Sequence, residues 1–167
     1  ADDQALLLLE KQVSAKLDLM IKDGQLERYS AISQWLPDAA TQHENLALLE
    51  QRIFSSQSPA RRAFADIGID QKILDKEWLD FQIARDHTLS IDEAIQLPIA
   101  TPWRSLWLGN TAQGVASRIS LQGATDINAL TNNLKDMNGV RVVDPVATIS
   151  NLLGEYRSYT LGFIVLA

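Results

Sequence analysis

The sequence predicts a mixed α+β fold, and three observations carry that expectation. Leu6, Leu9, Val13, Leu17 and Met20 near the start, and Ile127, Leu130, Leu134 and Met137 near the end, recur at three and four, the spacing of one helix face. Between residues 105 and 121 two short runs flank a glycine-bounded loop, the second with Val115, Ile119 and Leu121 on one face, the pattern of a hairpin. The stretch from Pro37 to Pro98 is broken by Pro, Gly and Ser into segments that suit short helices.

The elements follow in order. A helix is expected from Asp3 to Lys22, with Gly24 as its C-terminal cap. Leu26 to Ile32 contains strand formers and stops before Pro37, which cannot donate to a ladder, so it reads as a strand. Pro37-Asp38 opens a helix carrying Leu46, Leu49 and Ile53, and Ser55 to Pro59 breaks it. Residues 60 to 67 form the next helix, closed by Gly68; Asp70 caps another in which Leu74, Trp78 and Phe81 share a side. Ser90-Ile91-Asp92-Glu93 is a capping box for a further helix ended by Pro98.

After Pro102, Ser105 to Leu108 and Val115 to Leu121 read as the two strands of a hairpin around a Gly109-to-Gly114 loop, with Val115, Ile119 and Leu121 on one face. Asp126 starts a helix that Gly139 ends, and Val140 to Val143 is a short strand. Asp144-Pro145 begins the last helix, with the carboxylate as cap and the proline where its missing N–H costs nothing. Ile149, Leu152, Leu153 and Tyr156 fall on one face of it.

With the helical block removed, these elements fit helices on one face of an antiparallel sheet, and one further strand ahead of residue 1 would make a ferredoxin-like split β-α-β arrangement. The expected organisation is a discontinuous α+β domain from residues 1–35 and 99–144, a helical insertion at 36–98, and a distinct segment at 145–167. That last segment ends in Leu161-Gly162-Phe163-Ile164-Val165-Leu166-Ala167. Such a run is too short to cross a bilayer, which takes roughly 20 residues, and reads as the first turns of a membrane helix. Tyr156, Arg157 and Tyr159 ahead of it suit the membrane interface. The acidic start Ala1-Asp2-Asp3 lacks the layout of a signal peptide and reads as a cut end.

Composition excludes several function classes. A formal net charge of -6 with no basic stripe argues against nucleic-acid binding, which needs clustered Lys and Arg. With no cysteine there is neither a thiolate metal site nor a cysteine nucleophile. His43-Glu44 falls short of a zinc motif because Ala47 stands where the second histidine is needed, and His87 is the only other histidine. Asp66, Asp70, Asp75, Asp80 and Asp86 are interleaved with Lys72, Lys76 and Arg85, the pattern of a solvated helix face. There is no nucleophile elbow or phosphate loop, so neither an enzyme nor a cofactor is expected. Trp35, Trp78, Phe81, Trp103 and Trp107 are the candidates for contact with an apolar ligand, since aromatic side chains line apolar sites. Trp103 and Trp107 flank the junction between helical block and hairpin, where a cleft could lie, and Arg61-Arg62 could meet an anionic lipid head group.

Two local patterns add a resemblance. Gly24 to Asp38 (GQLERYSAISQWLPD), followed by Gln42 and Asn45-Leu46, and Gly139 to Pro145 (GVRVVDP), followed by Tyr156-Arg157, resemble the extracytoplasmic domain of exporters in the RND superfamily, in the branch close to the MMPL lipid transporters. The resemblance covers both ends of the chain and leaves Pro59 to Pro98 unmatched. It implies a porter-type periplasmic domain of a bacterial inner-membrane protein, joined to the bilayer by flanking helices and moving a lipid or other hydrophobic molecule, with periplasmic accessory proteins as possible partners. It also implies that proton-driven coupling resides in membrane helices outside residues 1–167. The alternative is a soluble α+β ligand-binding or protein-interaction module without a transport role.

Overall fold

A computed structural model describes residues 2–55, 58–112, 114–145, 147–150, 153, 154 and 156. The fold is mixed α+β with two small antiparallel sheets. Helix α1 (Asp3–Lys22) is the long axis on which the rest is assembled. Asp2 caps it by accepting from the Ala5 N–H at 2.8 Å. Its C-terminus closes as the sequence predicts: Gly24 takes φ 70°, and the N–H groups of Gly24 and Gln25 donate to the Ile21 and Met20 carbonyls.

The buried face of α1 serves two apolar clusters in succession. Leu6 and Leu7 join Ile32, Leu36, Ile91, Ala94, Ala100, Trp103 and Leu106 in the first. Val13, Leu17 and Met20 join Leu26, Leu130 and Leu134 in the second, flanked by Tyr29, Ile119 and Leu121. Between them sits a buried carboxylate. Glu10, 3% exposed, accepts from the Ser33 N–H at 2.7 Å and from the Ser117 hydroxyl. Burying a charge demands such donors, and these two come from separate parts of the chain.

The expected hairpin is present, with its first strand shifted to Trp107–Thr111, while the strand expected over Leu26 to Ile32 shortens to Arg28–Ser30. β1 (Arg28–Ser30) pairs with β4 (Ser120–Gln122), Tyr29 opposite Leu121; β2 (Trp107–Thr111) pairs with β3 (Gly114–Ser117). The continuous strand expected over Val115 to Leu121 is therefore corrected to two, each belonging to a different sheet. The break falls where the Arg118 N–H leaves the ladder and donates to the Leu106 carbonyl at 2.7 Å. Val115 accordingly faces the first cluster, while Ile119 and Leu121 face the second. The Gly109-to-Gly114 loop is corrected as well. Gly109 at φ 78° makes a bulge within β2 instead of opening the turn, so the ladder runs on to Thr111 opposite Gly114.

α6 (Ile127–Leu134) starts at the Asp126 cap and packs Leu130 and Leu134 against α1, while the chain turns through Met137 to Gly139. The strand expected at Val140 to Val143 joins no ladder among the described residues: Val140 and Val142 pack on the second cluster instead. Asp144 does cap the next helical segment, accepting from the Ala147 N–H at 3.1 Å. The described members of its apolar face, Ile149, Leu153 and Tyr156, are 60–64% exposed. Leu152, Arg157, Tyr159 and the apolar run from Leu161 to Ala167 lie outside the described residues. Among those described, no helix is long and apolar enough to cross a membrane.

Candidate functional site: an apolar cleft in the helical block

The helical block stands apart from the core. Among the described residues, no member of either cluster falls between residues 37 and 88, whereas Leu89, Ile91, Ala94 and Ile95 belong to the first. The block comprises α2 (Ala39–Leu49), a π-helical turn over Glu50–Phe54 that continues it, α3 (Pro59–Asp66) and α4 (Gln71–Ala84). α5 (Ile91–Ala94), opened by the expected capping box at Ser90, returns the chain to the core and is shorter than the run to Pro98 predicted.

Polar contacts join block to core at a neck. Asp38, 5% exposed, caps α2 through the Thr41 N–H at 3.1 Å and hydroxyl at 2.8 Å, and receives Lys11 of α1 at 3.0 Å. These donors, Lys11 first, hold its carboxyl well below the usual 3.8, to about 2. Gln42 ties the incoming chain to the outgoing one. Its carboxamide donates to the Pro37 and Leu89 carbonyls at 2.8 and 3.0 Å and accepts from the Leu89 N–H at 2.8 Å. Within the block itself, Arg85 at the end of α4 and Glu50 at the end of α2 pair 3.0 Å apart.

Within the block lies a cleft of about 300 Å³, lined by Ile53, Phe54, Phe64, Ile69, Ile73, Leu74 and Trp78, with Arg61 and Glu77 as its charged members. Local chemistry sets its walls. Ser58, 2% exposed, donates its hydroxyl to the Ile53 carbonyl at 2.7 Å and accepts from the Arg61 N–H at 3.1 Å. One side chain thus joins the end of the π-helical turn to the start of α3. Behind the cleft, Phe54 stacks on Phe81 with centroids 4.4 Å apart, and Trp78 lies 6.1 Å from both. Arg61 reaches Asp75 at 2.8 Å.

The five aromatic candidates are not brought together. Trp78 lines the cleft and Phe81, 9% exposed, supports it from behind. Trp103 is 3% exposed inside the first core cluster, and Trp107 packs against that cluster, so both are framework at the junction where a cleft was expected. Trp35, 55% exposed, stands on the surface at the end of a 3₁₀ turn, away from the cleft. Sequence reasoning overlooked Ile53, Phe54, Phe64 and Ile69. The signal was there: these apolar residues cluster at adjoining ends of consecutive short helices that have too few apolar positions to fill a core of their own. His43 contacts its own helix at the Ala39 carbonyl, 2.8 Å away, and His87 lies 3.3 Å from Glu93.

Comparison with models of known protein families, with curated proteins and with solved structures finds no match.

Proposed function

We propose that this chain is the periplasm-facing domain of an RND/MMPL-like exporter of the bacterial inner membrane, and that its helical block receives a lipid or other hydrophobic molecule on the way out. The observation that carries the reading is the apolar cleft beside Trp78, on a block separate from the core. An apolar concavity with a few polar groups at its edge suits an apolar ligand.

In this reading residues 1–35 and 99–144 are a discontinuous porter-like domain of ferredoxin type, 36–98 is its insertion, and 145–167 begins a membrane helix. The chain has no catalytic role. Its partners are the hydrophobic cargo, the membrane through flanking helices, and periplasmic accessory proteins.

Two experiments test it. Alkaline phosphatase inserted into the parent protein after Gly154 should be active, because that enzyme works only outside the cytoplasm; an inactive fusion overturns the location. The fluorescent hydrophobe N-phenyl-1-naphthylamine should bind the purified chain and lose most of its binding in Ile73→Asn/Trp78→Gln, with circular dichroism unchanged. Equal binding by that folded variant removes the cleft from the reading.

A further inference from the structure

Charge at the mouth of the cleft defines what kind of apolar molecule it takes. Arg61 is the one cationic side chain among the described lining residues. Its guanidinium is held by a short polar route: the buried Ser58 cap fixes the backbone at Arg61, and Asp75 accepts from the side chain at 2.8 Å. Arg61 is 30% exposed and Asp75 60%, so the guanidinium is the inner member of the pair. Asp75 also accepts from the Gln71 carboxamide at 2.9 Å. If Arg61 turned to another anion, Asp75 would keep Gln71 and water as donors, and neither group would be left unsatisfied. An ion pair this exposed is weak and cheaply exchanged. The volume of about 300 Å³ sits at the lower end of the range for ligand sites and suits one alkyl chain.

We propose that the cleft binds a single-chain amphiphile with an anionic head, and that Arg61 reads the head by exchanging Asp75 for it. The inference rests on the proposed apolar role of the cleft and adds the ligand's class and the residue that selects it. Glu77 also lines the cleft and is exposed, so it opposes negative charge at the mouth and sets the sign of a further variant.

The test is titration calorimetry of the 167-residue chain with dodecanoate, dodecan-1-ol and didodecanoyl phosphatidylglycerol, each below its aggregation concentration, near pH 7.5. Dodecanoate should bind about tenfold more tightly than dodecan-1-ol, the scale of one charge-assisted hydrogen bond, and the two-chain lipid should bind more weakly than dodecanoate. Asp75→Asn and Glu77→Gln should each tighten dodecanoate severalfold and leave dodecan-1-ol unchanged. Arg61→Gln should erase the preference for the acid. Should that variant fail to fold, Asp75→Asn, which keeps Arg61, still decides the matter. Equal affinity for acid and alcohol, or an Asp75→Asn variant that does not tighten the acid, overturns the inference while leaving the apolar cleft. Absence of binding by both overturns the role of the cleft itself.

Discussion

Removing the charge of Asp38 should weaken the neck by an amount that depends on pH in a defined way. The carboxyl titrates at about 2 when folded, against an ordinary value of 3.8. Lowering a carboxyl's pKa on folding stabilises the fold above the unfolded value and loses that stabilisation as pH falls through the folded one. At about 1.4 kcal/mol per unit, the shift amounts to about 2 kcal/mol, fully present above roughly pH 5 and mostly lost by about pH 2, where the folded carboxyl is half protonated. The contribution divides unequally. Lys11 is 60% exposed, so its ion pair is screened and adds ~0.2–1 kcal/mol. The Thr41 donors make up the cap, whose loss costs ~0.5–2 kcal/mol.

Urea unfolding followed by circular dichroism should therefore rank the variants at pH 7. Asp38→Asn, which removes the charge, should cost about 2 kcal/mol, Asp38→Ala somewhat more, and Lys11→Met about 0.5. Between pH 5 and pH 2.5 the gap between wild type and Asp38→Asn should shrink by more than half. A gap that stays constant across that range, or a Lys11→Met variant as damaging as Asp38→Ala, refutes the assignment of the stabilisation to a charged, capping carboxylate.

Two further outcomes follow from the same polar framework. Gln42→Leu removes three hydrogen bonds and strands the Leu89 N–H, so it should cost about 2 kcal/mol and speed hydrogen exchange across residues 39–88 more than in α1; uniform loss of protection would refute the neck. Glu10→Ala leaves the half-buried Ser33 N–H and Ser117 hydroxyl without their acceptor and should cost about 1–3 kcal/mol in urea unfolding, whereas Glu10→Gln, which retains an oxygen, should cost less than half as much; equal costs would refute the role of the acceptor.

Helix starts were legible in the sequence because capping is local chemistry. Asp38, Asp70, Ser90 and Asp126 each place a side-chain oxygen on an N–H two or three residues on, a relation that requires no knowledge of the rest of the fold. Strand partners were not legible, because Val115, Ile119 and Leu121 share one parity and nothing in that spacing records a change of partner at Arg118. The same limit applies to the tryptophans. Trp103 and Trp78 are the same residue type, yet one fills the core with Leu6, Leu7 and Ile32 and the other lines the cleft with Ile53 and Phe54, partners that no local pattern names.

The neck shows why the cleft could be a working surface and not spare core. Apolar burial stabilises the two clusters along α1, but among the described residues from 37 to 88 none is a member of either. Its attachment rests on Asp38 with Lys11, on the Gln4 side-chain oxygen that accepts from the Ala39 N–H, and on Gln42, whose individual contributions are of order 1 kcal/mol each. Attachment by a few such contacts lets the block open or tilt at a cost well below that of global unfolding, which elements gripping a ligand require. The aromatic stack of Phe54, Trp78 and Phe81 keeps the block itself ordered while that happens, since it binds α4 to the π-helical turn from within. Rigidity inside the block and compliance at its polar neck are therefore separate properties of separate residues, and substitutions at Gln42 should alter ligand exchange rates without altering the head-group preference set by Arg61.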